Sequence, residues 1–319
     1  MTTHRCAGLA IGFAALGAVV ASAQQTPTFR ARLDVVRLDV LVADHGHPVR
    51  DLKAADFAVL DNGVAQNLDE VMSFEDLPID AVMALDVSGS VAGDRLDHLR
   101  SASRALVGAL KKGDRAGLIS FGSEVELDAA MTADLPSVLN SLGRLHSGGI
   151  TALQDASYAG LVLGESDEGR SLLIVFSDGV DTASWLSADA VLDTAKRSVA
   201  VVYGVSVKRP PVTIPGSVPA GSRTAGAYRL SVEGAYGAKV GEPKPQFLSD
   251  LTETTGGSLI EIDSTKDLDA LFVRLLAEFR ERYIISYSPK GGLTPGWHTL
   301  DVQVKGRKLT IKVRPGYLS

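Results

Sequence analysis

Ala81-Val82-Met83-Ala84-Leu85-Asp86-Val87-Ser88-Gly89-Ser90 joins five apolar residues to a short run of oxygen-bearing side chains. An unbroken apolar run suits a strand covered on both faces of a parallel sheet. Two more such runs occur, Leu172 to Phe176 and Ala200 to Val205, and Leu118-Ile119-Ser120-Phe121 reads as a further strand. Between the strands, apolar residues recur at helical spacing. Leu96, Leu99, Leu106, Val107 and Leu110 mark one helix, ended by Gly113-Asp114. Leu135, Val138, Leu139 and Leu142 mark another, closed by Gly143. Phe247 to Thr255 reads as helix, Ser258 to Ile262 as strand and Leu268 to Arg282 as a long helix. This alternation over residues 79–280 predicts a doubly wound, Rossmann-like α/β domain. One segment, 208–245, breaks the pattern. It holds six of the 13 prolines and reads as a long loop, either a partner surface or an insertion.

The flanks have strand texture. Residues 24–78 contain the alternating stretch Arg30 to Val42, a turn at Asp44-His45-Gly46-His47-Pro48, a short strand Phe57 to Leu60 and a turn at Asp61-Asn62-Gly63. Residues 281–319 contain Tyr283 to Tyr287, Trp297 to Val304 and Leu309 to Val313, separated by Pro289-Lys290-Gly291-Gly292 and Lys305-Gly306-Arg307. Neither piece is long enough to bury a core alone. We therefore expect the N- and C-terminal strands to pack together as one small β-sandwich.

The first 23 residues have the form of a secretory signal peptide: Arg5, the apolar run Ala7 to Ala21, and Ala21-Ser22-Ala23 before Gln24. The run is shorter than the ~20 residues a membrane span needs, so we expect export and cleavage with no span left in the mature chain. The destination is the periplasm or the extracellular space. The lone cysteine, Cys6, falls inside this segment, which leaves no thiolate chemistry and no zinc–thiolate site afterwards. A net charge of -6 without a dense Lys/Arg block argues against nucleic acid as a partner.

The pentapeptide Asp86-Val87-Ser88-Gly89-Ser90 falls at the carboxyl end of its strand, where open α/β sheets bind ligands. Two other loops fall at equivalent places: Gly148-Gly149-Ile150-Thr151-Ala152-Leu153 and Ser177-Asp178-Gly179. Together they offer Asp86, Ser88, Ser90, Thr151 and Asp178, two carboxylates and three hydroxyls. All are hard donors, suited to Mg²⁺ or Mn²⁺, with Ca²⁺ a further candidate. The competing reading is plain helix capping by Ser88 or Ser90.

This pattern resembles the metal-ion-dependent adhesion site of von Willebrand factor type A domains: Asp-x-Ser-x-Ser, a distant Thr and a distant Asp. All five positions match. The resemblance implies that Ser88, Ser90 and Thr151 approach the ion, and that Asp86 and Asp178 hold waters and orient the serines. It also implies that a Glu or Asp of a protein partner fills the open position. Ile150 is a local departure. The flanks are similar to those of exported bacterial proteins with a related A domain, through Asp56-Phe57-Ala58-Val59-Leu60-Asp61-Asn62-Gly63, Tyr283 to Tyr287 and Arg314-Pro315-Gly316-Tyr317.

Asp181 and Trp185 are candidate rim residues. Asp181 either adds charge beside the ion or caps the helix that follows; Trp185 is either an exposed anchor or packed on its own helix. Asp155 reads as a helix-start carboxylate. His45 and His47 read as an exposed turn, and His98 and His146 as helix-surface or capping residues. The leading function is a metal-dependent protein-binding module. Its rivals are a metal-independent assembly scaffold and a metal-dependent hydrolase, the latter lacking an evident general base.

Overall fold

The computed structural model describes residues 35–73, 77–165, 169–178, 180–208 and 246–319. The segment read as a signal peptide, Gly179 and nearly all of the 208–245 loop lie outside the described residues.

Six strands form the central sheet: β6 (Ile79–Asp86), β7 (Arg115–Phe121), β8 (Val125–Thr132), β9 (Arg170–Ser177), β10 (Val201–Val207) and β11 (Ser258–Ile262). Their order is β11-β10-β9-β6-β7-β8, all parallel except β8, which runs antiparallel to β7. Side chains alternate between two cores, as strand geometry requires. From β6, Met83 and Leu85 enter one core, where they meet α1 (Asp94–Gly108), α2 (Leu135–Leu142) and α6 (Leu268–Arg280). Val82 and Ala84 enter the other, against α3 (Leu153–Leu163), α4 (Ala188–Arg197) and α5 (Gln246–Thr255). Three helices thus cover each face, the doubly wound arrangement expected from the apolar runs. Strand order reverses between β6 and β9, so the crevice of the sheet opens where Asp86 and Ser177-Asp178 emerge.

The antiparallel edge strand β8 was not expected from the sequence. Its outer position leaves Leu127 60% exposed, and its mixed residues carry neither an apolar run nor clean alternation.

The flanking segments form two further sheets. One contains β14 (Thr310–Lys312), β1 (Val36–Asp44), β12 (Tyr283–Tyr287) and β5 (Leu68–Ser73), with β2 (His47–Pro48) paired to β1. The other contains β15 (Gly316–Leu318), β13 (Trp297–Val304), β3 (Phe57–Asp61) and β4 (Val64–Ala65). Their shared core holds Leu38, Val40, Phe57, Val59, Ile285 and Val302. The expected sandwich of N- and C-terminal strands is therefore present. Asn62 and Gly63 take positive φ (49° and 78°), the backbone that turns β3 into β4.

The flank motifs converge on one buried carboxylate. Asp61 Oδ2 accepts from the hydroxyls of Tyr287 (2.9 Å) and Tyr317 (2.8 Å), and Oδ1 meets His298 Nδ1 at 2.8 Å. His298 Nε2 lies 2.7 Å from the Thr294 carbonyl, and its ring stacks on Tyr317. Both ring nitrogens face acceptors, so the imidazolium is the form that satisfies them. Burial opposes that charge, but the Thr294 carbonyl and the Asp61 carboxylate outweigh it and raise the His298 pKa. Its contribution to stability is fully present below the unfolded pKa, near 6.5, and is lost as pH rises through the higher folded value. The urea midpoint of the wild type should therefore exceed that of His298→Gln by more at pH 6 than at pH 9. A gap that stays constant or widens with pH would show that His298 folds uncharged.

Candidate metal centre

Asp86 closes β6, and the next residue keeps the strand's company through Val87 N–H to Phe121 O (2.8 Å). The chain then makes a single 3₁₀ turn, Gly89–Val91, before α1 begins. Helix capping by Ser88 or Ser90 is not what the structure shows. The N-cap of α1 is Gly93, and Ser88 caps its own short turn with no side-chain bond. The serines instead face each other, Oγ to Oγ 3.1 Å, and Ser90 Oγ donates to Asp178 Oδ1 at 2.6 Å. Asp86 accepts from Ser88 N–H (2.8 Å) and from Ser177 Oγ (2.6 Å). Four of the five expected residues are thereby linked across the ends of two neighbouring strands.

Thr151 joins them through its loop. Gly148 N–H donates to Val87 O (2.7 Å) and Gly89 N–H to Gly149 O (3.0 Å), which fastens the Thr151 loop to the Ser88 loop. Gly149 is required there: its φ is +76°, and a Cβ would collide with the side chain and backbone of Ser123. Ser123 Oγ also accepts Ile150 N–H at 3.2 Å, so the departure at Ile150 leaves the loop anchored and its own side chain 55% exposed. Thr151 itself is buried and receives Thr182 on both sides: Thr151 N–H to Thr182 Oγ1 (3.1 Å) and Thr182 N–H to Thr151 O (2.8 Å).

The rim candidates separate. Asp181 does not cap the following helix; its Oδ1 accepts from Gln154 N–H (3.2 Å) and Ser184 Oγ (2.5 Å) at the start of α3. Ser187 caps the following helix, α4. Asp155 is structural in a way its position did not reveal. Its carboxylate accepts the N–H groups of Trp185 and Leu186, both at 2.9 Å. Trp185 is 97% exposed, so it does not pack on its own helix, and its backbone N–H is held by Asp155. His98 bonds Thr265 Oγ1 (2.8 Å), far along the chain.

One residue escaped the sequence reading. Arg95 Nη1 donates to Asp178 Oδ2 at 2.7 Å. A signal was available: Arg95 sits in the first turn of α1, where the helix dipole disfavours a cation unless an anion faces it.

Asp86 is fully buried, and that burial raises its pKa. Ser177 and Ser88 oppose the rise and the Asp178 charge adds to it. Among the described residues no three His, Cys, Asp or Glu side chains gather as a metal cluster, so serine and threonine hydroxyls would complete any coordination here. That donor set fits a hard, oxygen-preferring ion and offers nothing to a soft one.

Residues 81–180 match the family model described as von Willebrand factor type A domain. A solved von Willebrand factor type A structure from Catenulispora acidiphila superposes with a TM-score of 0.50 at 12% identity, covering 85% of this chain and 75% of that one. A structure of proximal thread matrix protein 1 from the mussel byssus, with zinc occupying its MIDAS motif, aligns at 12% identity and a TM-score of 0.48, over 68% of this chain and 49% of that one. Inter-alpha-trypsin inhibitor heavy chain H1 of Mesocricetus auratus is 25% identical over 131 residues, 37% of this chain. The matched region spans only 14% of that protein. The match to the von Willebrand factor type A domain thus falls on residues 81–180, which include the candidate site and lie within the six-stranded doubly wound sheet.

Proposed function

We propose that the chain is a metal-ion-dependent binding module. Asp86, Ser88, Ser90, Thr151 and Asp178 hold Mg²⁺ or Mn²⁺, or alternatively Ca²⁺, and a Glu or Asp of a protein partner completes the coordination. The observation that supports it most is the hydrogen-bonded chain Asp86–Ser88–Ser90–Asp178, which joins oxygen donors from two strand ends at the topological switch point. The serines and threonine would touch the ion. Asp86 and Asp178 spend their oxygens on Ser88, Ser177 and Ser90, a role suited to orienting ligands and their waters. With few charges on its ligands the ion stays electron-poor and attracts a carboxylate.

The module works outside the cytoplasm, after removal of residues 1–23, in the periplasm or beyond. Among the described residues no helix is long and apolar enough to cross a membrane. The role is binding, not turnover. The alternatives are a metal-independent scaffold and a metal-dependent hydrolase.

Mn²⁺ at about a hundred times its Kd should stabilise the protein by about 2.7 kcal/mol, a rise of roughly 5 to 10 °C in Tm for a domain of this size. Asp86→Ala should abolish that rise; an unchanged shift would place the ion elsewhere. Thr151→Ala should leave the metal-free protein folded by circular dichroism while cutting Mg²⁺-dependent capture of envelope proteins. Capture that persists in chelator would favour the scaffold, and turnover of ester or phosphate substrates would favour the hydrolase.

A further inference from the structure

Arg95 places a permanent positive charge on one of the site's own carboxylates. Its Nη1 lies 2.7 Å from Asp178 Oδ2 and 3.2 Å from Ser90 O. The Arg95 side chain is 43% exposed, whereas that of Asp178 is 3% exposed. The guanidinium can therefore swing into solvent, but the carboxylate cannot leave. The other Asp178 oxygen, Oδ1, accepts from Ser90 Oγ. A serine hydroxyl has two lone pairs, so Ser90 can face a cation and still donate that proton. Oδ2 is thus the Asp178 oxygen that an incoming ion and its waters would compete for, and Arg95 holds it.

We propose that Arg95 is the resident counter-cation of the site, displaced from Asp178 when a divalent ion enters, and that it thereby sets the metal affinity. This inference rests on the metal-binding reading above. Asp86 and Asp178 contribute two negative charges and Arg95 cancels one of them. A divalent ion arriving beside a guanidinium meets a repulsion that changes affinity by about tenfold even where water screens the pair. The residual deficit of negative charge is what a partner's carboxylate would supply, so ion and acidic partner would strengthen each other's binding. Arg95 also gives the metal-free site a stable form. Without it, Asp178 would be a buried carboxylate relying on Ser90 and on neighbouring donors alone.

The test uses the full chain and the metal alone. Calorimetric titration with Mn²⁺ should give Arg95→Gln an affinity about tenfold tighter than wild type, and Arg95→Lys, which keeps the charge, should pull the affinity back toward wild type. Metal-free R95Q should also melt below wild type and gain more Tm from Mn²⁺. Equal or weaker Mn²⁺ binding by R95Q, with wild type binding normally, would overturn the role of Arg95 and leave the metal site intact. Binding by neither protein would instead overturn the metal site itself. A reading that needs no variant is the NMR signal of the Arg95 guanidinium during Mg²⁺ titration. Release toward the solvent-exchanging position supports displacement, and a signal unmoved at saturation refutes it.

Discussion

Three buried arginines tie the β-sandwich to the α/β sheet. Arg170, the first residue of β9, donates to Asp39 of β1 (Nη2 to Oδ1 2.5 Å) and to the Phe279 carbonyl at the end of α6 (2.9 Å). Arg282 is fully buried and donates to Gly256 O (2.8 Å), Asp39 O (3.3 Å) and Tyr203 OH (3.2 Å). Arg314 donates to the carbonyls of Ala195, Lys196 and Ser198, which end α4, and to Gly316 O. A guanidinium taken out of water is costly unless its donors are used, and its five N–H groups suit it to gathering several carbonyls at once, although Arg170 leaves its Nη1 buried without a hydrogen-bond partner. The sandwich is thus fastened to the base of the sheet, through the start of β9 and the last turns of α4 and α6. The opposite end of β9 delivers Ser177 and Asp178 to the crevice.

That arrangement explains how much the sequence could reveal. The sheet was legible because buried parallel strands need no polar face, so Ala81 to Leu85 and Leu172 to Phe176 stand out as continuous apolar runs. The five candidate oxygen donors stood out because their spacing placed each at a loop before or after a strand or helix, and the structure links four of them by hydrogen bonds. Arg314-Pro315-Gly316-Tyr317 was visible as a motif, but its work was not. Arg314 acts on a helix more than a hundred positions earlier, and Tyr317 acts on Asp61. The partners of Asp181 and Asp155 were hidden for the same reason: each carboxylate serves the other's loop, so neither set of bonds follows from its own neighbours. β8 was missed because an edge strand carries no strong pattern.

The crevice itself is organised by division of labour among oxygens. Asp86, wholly buried, positions Ser88 and Ser177, while Asp178 positions Ser90 and holds Arg95. Every carboxylate oxygen that shapes the loops is already engaged by a donor. The two serine hydroxyls stand 3.1 Å apart with lone pairs still to offer. Rigidity comes from the backbone: Val87 pairs with both Phe121 and Gly148, and Thr151 with Thr182. Trp185 is almost wholly exposed, and its amide is fixed by the Asp155 carboxylate.

The Asp61 cluster has a consequence for how the molecule is made. Asp61 and His298 are 237 positions apart, and Tyr317 lies further still. The first strands to leave the ribosome, β1 and β3, have only the two-residue strands β2 and β4 beside them until the last ones arrive. β1 must wait for β12 and β14, and β3 for β13. Throughout that interval the α/β sheet can assemble from contacts that are closer along the chain, with its base uncovered. Pairing across so long a loop is intrinsically slow, and strand edges left open in the meantime invite misassociation.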